Sequence, residues 1–174
     1  MQFSIDEPST GLAAICEPIL RALPDWFGIE QSIVQYVRDI DQLPTIIARD
    51  AHNSPVGFMS MKQHFPHTAE LYVLGVRSEW HRQGIGRAML SKAEQWLGAK
   101  SVRILQVKTL AAARQHAPYE RTRRFYESMG FVPLEVFPKL WDERNPCLLL
   151  IKPLRAGALR EPDQAAVIAD TITG

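Results

Sequence analysis

Residues 81–88 read His81-Arg82-Gln83-Gly84-Ile85-Gly86-Arg87-Ala88, and the apolar run Leu71-Tyr72-Val73-Leu74-Gly75-Val76 precedes them. Beyond them Ile85, Ala88, Met89, Ala93, Trp96 and Leu97 recur at helical spacing. The order is strand, short loop with two glycines, helix. A helix start leaves N–H groups unpaired and carries about half a positive charge, which suits a phosphate. Glycine lets backbone approach an anion with no Cβ in the way.

Two familiar phosphate loops do not fit. A P-loop needs Lys followed by Ser or Thr after its last glycine, and Gly86 is followed by Arg87-Ala88. A dinucleotide fingerprint needs a third glycine three residues after Gly86, where Met89 stands. A third template, Gln/Arg-x-x-Gly-x-Gly/Ala after a strand ending near Val, fits Val76 through Gly86, with His81 in place of Gln or Arg. A second segment, Arg123-Arg124-Phe125-Tyr126-Glu127-Ser128-Met129-Gly130-Phe131, reads as a helix ending in Phe-Tyr-x-x-x-Gly-Phe. Together the two stretches resemble motifs A and B of the GNAT superfamily of acetyl-CoA-dependent N-acetyltransferases, over residues 1–153.

The rest of the chain reads around these motifs. Residues 2–6 read as a first strand, Leu12–Leu23 as a helix stopped by Pro24, and Glu30–Ile40 as a second helix. Thr45–Arg49, Val56–His64 and Ala69–Val76 read as strands joined by turns at Asn53-Ser54-Pro55 and Pro66-His67. Gly75 suggests a bulge or a close backbone approach. The motif-A helix is expected to close at Gly98. Val102–Thr109 reads as a strand and 110–118 as a loop. Glu120–Met129 reads as a helix, and Phe131–Phe137 and Cys147–Lys152 as final strands about a long Pro138–Pro146 loop carrying Trp141. This pattern alone is α/β of the α+β type, a mostly antiparallel sheet flanked by helices. The resemblance implies a strongly bent mixed sheet whose fourth and fifth strands splay into a slot for acetyl-CoA. Residues 154–174 lack a strong apolar stripe and are expected to be a flexible or partner-dependent extension.

Composition sets bounds. The 174 residues, 46% apolar and 22% charged, suit one domain with a sizeable core. A net charge of +1 gives no global attraction to nucleic acid, so no nucleic-acid partner is expected. No apolar stretch approaches the ~20 residues of a membrane span, and the first residues lack a secretory pattern. A cytoplasmic protein without a membrane partner is expected, and a homodimer is left open. Cys16 and Cys147 make no disulfide framework, and the five histidines lack zinc spacing, so no metal is expected. His64 and His67 flank Pro66 and read as a surface turn.

Transfer of an acetyl group from a thioester to an amine sets three tasks: a donor for the carbonyl oxygen, a base for the amine and an acid for the departing thiolate. The backbone N–H of Val76 or Leu74 suits the first task where the strand leaves it unpaired. Tyr126 stands where the resemblance places the general acid; read without it, Tyr126 is core packing beside Phe125. Glu70, through water, is a candidate base, with Glu79, His81 or water alone as alternatives. Pyrophosphate binding falls to the N–H groups from Arg82 to Ala88 (Arg82, Gln83, Gly84, Ile85, Gly86, Arg87, Ala88), with Arg82 and Arg87 adding charge. Tyr119 stands where the family often has Asn, and its hydroxyl is an expected pantetheine contact. Arg121, Arg123 and Arg124 form a basic run, read as a solvated face or a 3′-phosphate contact. Trp26, Phe27 and Trp141 are expected to border the acceptor, an amine of unknown identity, with Asp25, Glu30, Asp142 and Glu143 flanking them. Rival readings are transfer of another acyl group or to another acceptor, and a non-catalytic acyl-CoA-binding module on the same fold.

Overall fold

The computed structural model describes residues 2–154, so from residue 155 onward the expected C-terminal extension lies outside the described residues. The described residues form seven strands and four α-helices, in the order β1 (Phe3–Ile5), α1 (Ala13–Arg21), α2 (Glu30–Gln42), β2 (Thr45–Asp50), β3 (Pro55–Phe65), β4 (Thr68–Val76), α3 (Ile85–Ala99), β5 (Ile104–Leu110), α4 (Ala117–Ser128), β6 (Val132–Asp142) and β7 (Asn145–Pro153). The strands form one open mixed sheet in the order β1-β2-β3-β4-β5-β7-β6. Among the described strands only β4 and β5 run parallel, because α3 carries the chain back between them.

Strand alternation divides the core into two layers. Ile46, Met59, Met61, Leu71, Leu105 and Val107 pack against Met89, Leu90, Ala93 and Leu97 of α3 and Tyr126 of α4. On the opposite face Ile47, Phe58 and Val73 pack against Cys16, Ile19 and Leu20 of α1 and Ile33 and Ile40 of α2. Burial pushes the Cys16 thiol up to about 12, as expected of a cysteine acting as a small apolar side chain.

Three element boundaries differ from the sequence expectation in ways that bear on the site. Helix α3 passes through Gly98 and ends in a Schellman turn with Ser101 at φ 64°; Ser101 donates to Gly98 O and Val102 to Leu97 O. Helix α4 begins at Ala117, three positions before Glu120, because Pro118 stands in the first turn, where its missing N–H is tolerated. The expected Pro138–Pro146 loop is mostly strand: β6 runs to Asp142 and turns tightly into β7 at Asn145, the turn held by Asp142 accepting from Arg144 N–H and Asn145 Nδ2. Trp141 therefore sits on a strand near a hairpin tip. The β4 bulge lies at Tyr72, the extra residue between the pairs Ser60–Val73 and Met61–Leu71, while Gly75 is a close approach.

A Cβ on Gly75 would stand 2.8 Å from Phe58 Cε1 and 3.3 Å from Leu23 Cδ1. Overpacking of this kind costs about 1–3 kcal/mol. Gly75→Ala is therefore expected to lower the melting temperature by roughly 2–4 °C per kcal/mol lost. An unchanged melting curve would show that the α1 side of the sheet yields freely.

Candidate active site

Strands β4 and β5 pair only from Thr68–Ile104 to Leu71–Val107 and then part. On the other edge of β4, Arg77 N–H donates to Val56 O at 2.9 Å, which fixes the parity of the strand. Gly75 and Val73 turn their backbone groups to β3, whereas Leu74 and Val76 turn theirs away, toward the side from which β5 has withdrawn. His81 Nε2 lies 2.7 Å from Val76 O and donates to it, which independently places the Val76 carbonyl on the open side. The N–H groups of Leu74 and Val76 thus line a cavity of about 750 Å³.

One end of the cavity is the α3 N-terminus. Gly84 caps the helix at φ 85°, and Arg82 also adopts the left-handed region at φ 59°, uncommon for a residue with a side chain. Among the described residues no N–H from Arg82 to Arg87 donates to a protein acceptor, whereas Ala88 N–H is taken by Gly84 O. Successive free amides of this kind make an anion cradle. The two glycines do different work. A Cβ on Gly84 would meet nothing within 4 Å, so its need is conformational; a Cβ on Gly86 would lie 3.1 Å from Phe125 Cζ, so its need is the contact of α3 with α4.

The end of α4 explains the second motif. Gly130 at φ 87° donates to Glu127 O, and Phe131 N–H donates to Tyr126 O. This is a Schellman turn, in which the residue after glycine packs back on the last helical turn; here the Phe131 and Tyr126 ring centroids are 5.6 Å apart. The motif therefore fixes the Tyr126 ring. Its hydroxyl hydrogen-bonds nothing among the described residues, and Tyr126 lines the cavity. Burial raises its pKa above the ordinary phenol value, so the proton is held at neutral pH. Thr109 on β5 lines the same cavity, and its Oγ1 is buried without a partner among the described residues.

The loop between α1 and α2 crosses the slot. Trp26 Nε1 donates to Thr122 Oγ1 at 3.0 Å, and the Tyr119 hydroxyl donates to Trp26 O at 2.9 Å, both on α4. His81 packs edge-on against the Trp26 ring, and Arg121 lies over it. Trp26 therefore ties α4 to the loop that carries His81 instead of standing apart on an acceptor rim, and the Tyr119 hydroxyl is engaged by this strap. The basic run divides: Arg121 lines the cavity, Arg123 donates to Leu110 O, and Arg124 pairs with Glu120.

Across the sheet lies a second group that the sequence did not bring together. Glu70, 5% exposed, stands one position before the last β4–β5 pair. It accepts from Lys108 Nζ at 2.8 and 2.9 Å, from His64 Nε2 at 2.7 Å and from Gln106 Nε2 at 3.3 Å. Phe27 packs edge-on against Tyr36 and Tyr36 against Tyr72, whose hydroxyl donates to Asp39. Phe27, Tyr36, Tyr72 and Trp141 are aromatic walls of the cavity, with Lys62 over the Tyr72 ring. Counting back from the Pro66-His67 turn would have set His64 opposite Ala69, on the face away from Glu70; the contact depends on the bulge at His64. Nothing local to Tyr36 or Lys108 announces a site. Among the described residues no group of three or more His, Cys, Asp or Glu is placed to hold a metal ion.

Comparison with known proteins agrees with this geometry. Residues 41–133 match the family model described as an acetyltransferase (GNAT) domain, and the chain belongs to that family. Similar folds include a GNAT-family protein from Desulfovibrio desulfuricans, 16% identical with a TM-score of 0.75 over 88% of this chain and 99% of that one. A GNAT-family acetyltransferase from Elizabethkingia anophelis with acetyl-CoA bound is 18% identical, TM-score 0.67, over 87% and 98%. An aminoglycoside 6'-N-acetyltransferase complexed with coenzyme A is 19% identical, TM-score 0.68, over 87% and 97%. At these identities the likeness is one of fold. No curated protein matches the chain significantly.

Burial raises the Tyr119 phenol to about 12, against about 10 in an unfolded chain. Above pH ~10 the unfolded chain binds fewer protons than the folded one, so stability falls as pH rises. Tyr119→Phe is expected to cost about 1 kcal/mol at pH 8 in urea denaturation, by loss of the bond to Trp26 O. That deficit should shrink between roughly pH 10 and 12. An equal deficit at both ends of the range would contradict the strap.

Proposed function

We propose that the protein transfers the acetyl group of acetyl-CoA directly to a primary amine. The observation that carries this reading is the continuity of one slot. It runs from the free amides of Arg82–Arg87, past the outward N–H groups of Leu74 and Val76, to the unpartnered Tyr126 hydroxyl. The fit to this co-substrate rests on three features that invite a ligand: the amide cradle, the open strand edge and the buried Thr109 Oγ1, unpartnered among the described residues.

The Arg82–Arg87 amides would hold the pyrophosphate, with Arg82 and Arg87 supplying charge that the helix start alone disfavours. The N–H groups of Leu74 and Val76 would hold the extended arm and the thioester carbonyl, as a strand edge holds an added strand. Such donors favour the charge that develops on the carbonyl oxygen in the transition state. Tyr126 would give its proton to the departing sulfur. Its raised pKa does not remove it from that role, because the same desolvated slot makes a bare thiolate more basic. The acceptor would enter from the opposite face, between Phe27, Tyr36, Tyr72 and Trp141, whose rings suit a cationic or aromatic amine.

The test is thiol release from acetyl-CoA with 2-phenylethylamine, spermidine and a peptide with a free N-terminus. Tyr126→Phe should lower kcat by about 10²-fold, while the acetyl-CoA Kd stays unchanged. Gly84→Val should weaken acetyl-CoA, since a β-branched residue resists a positive φ. An unchanged kcat in the first variant removes Tyr126 as the acid. Saturable acetyl-CoA binding without turnover of any amine would favour the non-catalytic acyl-CoA-binding reading.

A further inference from the structure

We infer that His64 is the catalytic base that takes the proton of the acceptor amine, and that Glu70 is its positioning residue. This rests on the transferase reading and deepens it. Glu70 is buried and both of its oxygens are engaged, Oε1 by Lys108 and Oε2 by His64, Lys108 and Gln106. Four hydrogen bonds hold this carboxylate, three of them on Oε2. His64 is different. It is the extra residue of a bulge in β3, between the pairs Gln63–Ala69 and Phe65–Thr68, its side chain is 31% exposed, and it lines the cavity. Its Nε2–H is held by Glu70, and its other nitrogen makes no hydrogen bond among the described residues.

A carboxylate that accepts from one ring nitrogen fixes the tautomer and leaves the other nitrogen as a proton acceptor. This is the logic of a carboxylate–imidazole pair in general-base catalysis. Lys108 holds the same carboxylate from β5, so Glu70 stays in place as the imidazole changes charge. Lys62 on its own strand, Glu70 and Tyr72 on β4, Lys108 on β5 and Tyr36 on α2 line the cavity with His64, and Asp39 on α2 accepts from the Tyr72 hydroxyl.

The proton balance closes without any other reagent. His64 Nδ1 takes one proton from the ammonium and passes it to solvent. The freed lone pair of the amine forms the C–N bond. The C–S bond breaks with its electron pair on sulfur, which takes the Tyr126 proton. His64 then takes the second nitrogen proton to solvent, and Tyr126 regains one from solvent. Net, one proton is released per acetyl group transferred.

Two variants and one spectrum test this. In ¹⁵N-histidine NMR of the apoprotein, with His64→Gln assigning the signal, His64 should be the Nε2–H tautomer, and Glu70→Gln should relax it toward a mixture. With an amine that the wild type acetylates, His64→Gln should lower kcat/KM by about 10²-fold and abolish the acidic limb of its pH profile. Glu70→Gln should displace that limb, a change that a merely structural role would not produce. The acetyl-CoA Kd should not move in His64→Gln. An Nδ1–H tautomer, or a His64→Gln profile retaining the wild-type limb and rate, would overturn the assignment. The tautomer needs no acceptor and the Kd no turnover, so failure of the transferase reading is seen separately, as loss of acetyl-CoA binding or of wild-type turnover.

Discussion

The parting of β4 and β5 after Leu71 and Val107 is the constraint on which the site depends. Two parallel strands that stayed paired would use the backbone groups of Leu74 and Val76 on each other. The Tyr72 bulge lies one residue beyond the last pair, and bulges bend a strand and increase its twist. The strand that leaves the pairing stays anchored on its other edge by β3, so only one row of amides opens. Helices α3 and α4 then wall the gap, in contact where Gly86 admits the Phe125 ring.

The site holds features that folding alone would remove. An open strand edge, a left-handed Arg82, amides without acceptors and a buried hydroxyl on Thr109 each carry a cost, and they meet at one cavity. Such features persist where the surrounding structure holds them. Here the holders are identifiable: the Schellman turn behind Tyr126, the His81 bond to Val76 O and the Trp26 strap onto Thr122 and Tyr119. The chemistry we propose is also divided by the sheet: Tyr126 and the Arg82–Arg87 amides lie with α3 and α4, whereas His64, Glu70 and the Tyr36–Tyr72 aromatics lie toward α2.

What was legible in the sequence follows from the range of the interactions. The α3 start and the α4 end are local, written in Gly84, Gly130 and the residues beside them, and both motifs stand where the sequence placed them. The strands with one apolar face were legible for the same reason. Both strands of the β6–β7 hairpin were legible but its tip was not, because beyond Phe137 β6 is an exposed edge interrupted by Pro138, so no alternation marks it. Gly98 and Pro118 misled because the three-dimensional end of α3 falls on Ser101 and a first-turn proline opens α4. The His64–Glu70–Lys108 group was illegible because it is assembled across three strands, through a parallel pairing that no turn announces. Tyr119 was legible as a motif departure, but its bond to Trp26, 93 residues away, was not.

The measurement that bears most directly on this account is calorimetric titration of the protein with acetyl-CoA and, separately, with ATP. A slot built from a phosphate cradle, an open strand edge and a facing tyrosine predicts saturable one-to-one binding of acetyl-CoA in the micromolar range and no comparable heat with ATP. Absence of acetyl-CoA binding, or equal affinity for ATP, would contradict the reading of the parted strands as an acetyl-CoA site.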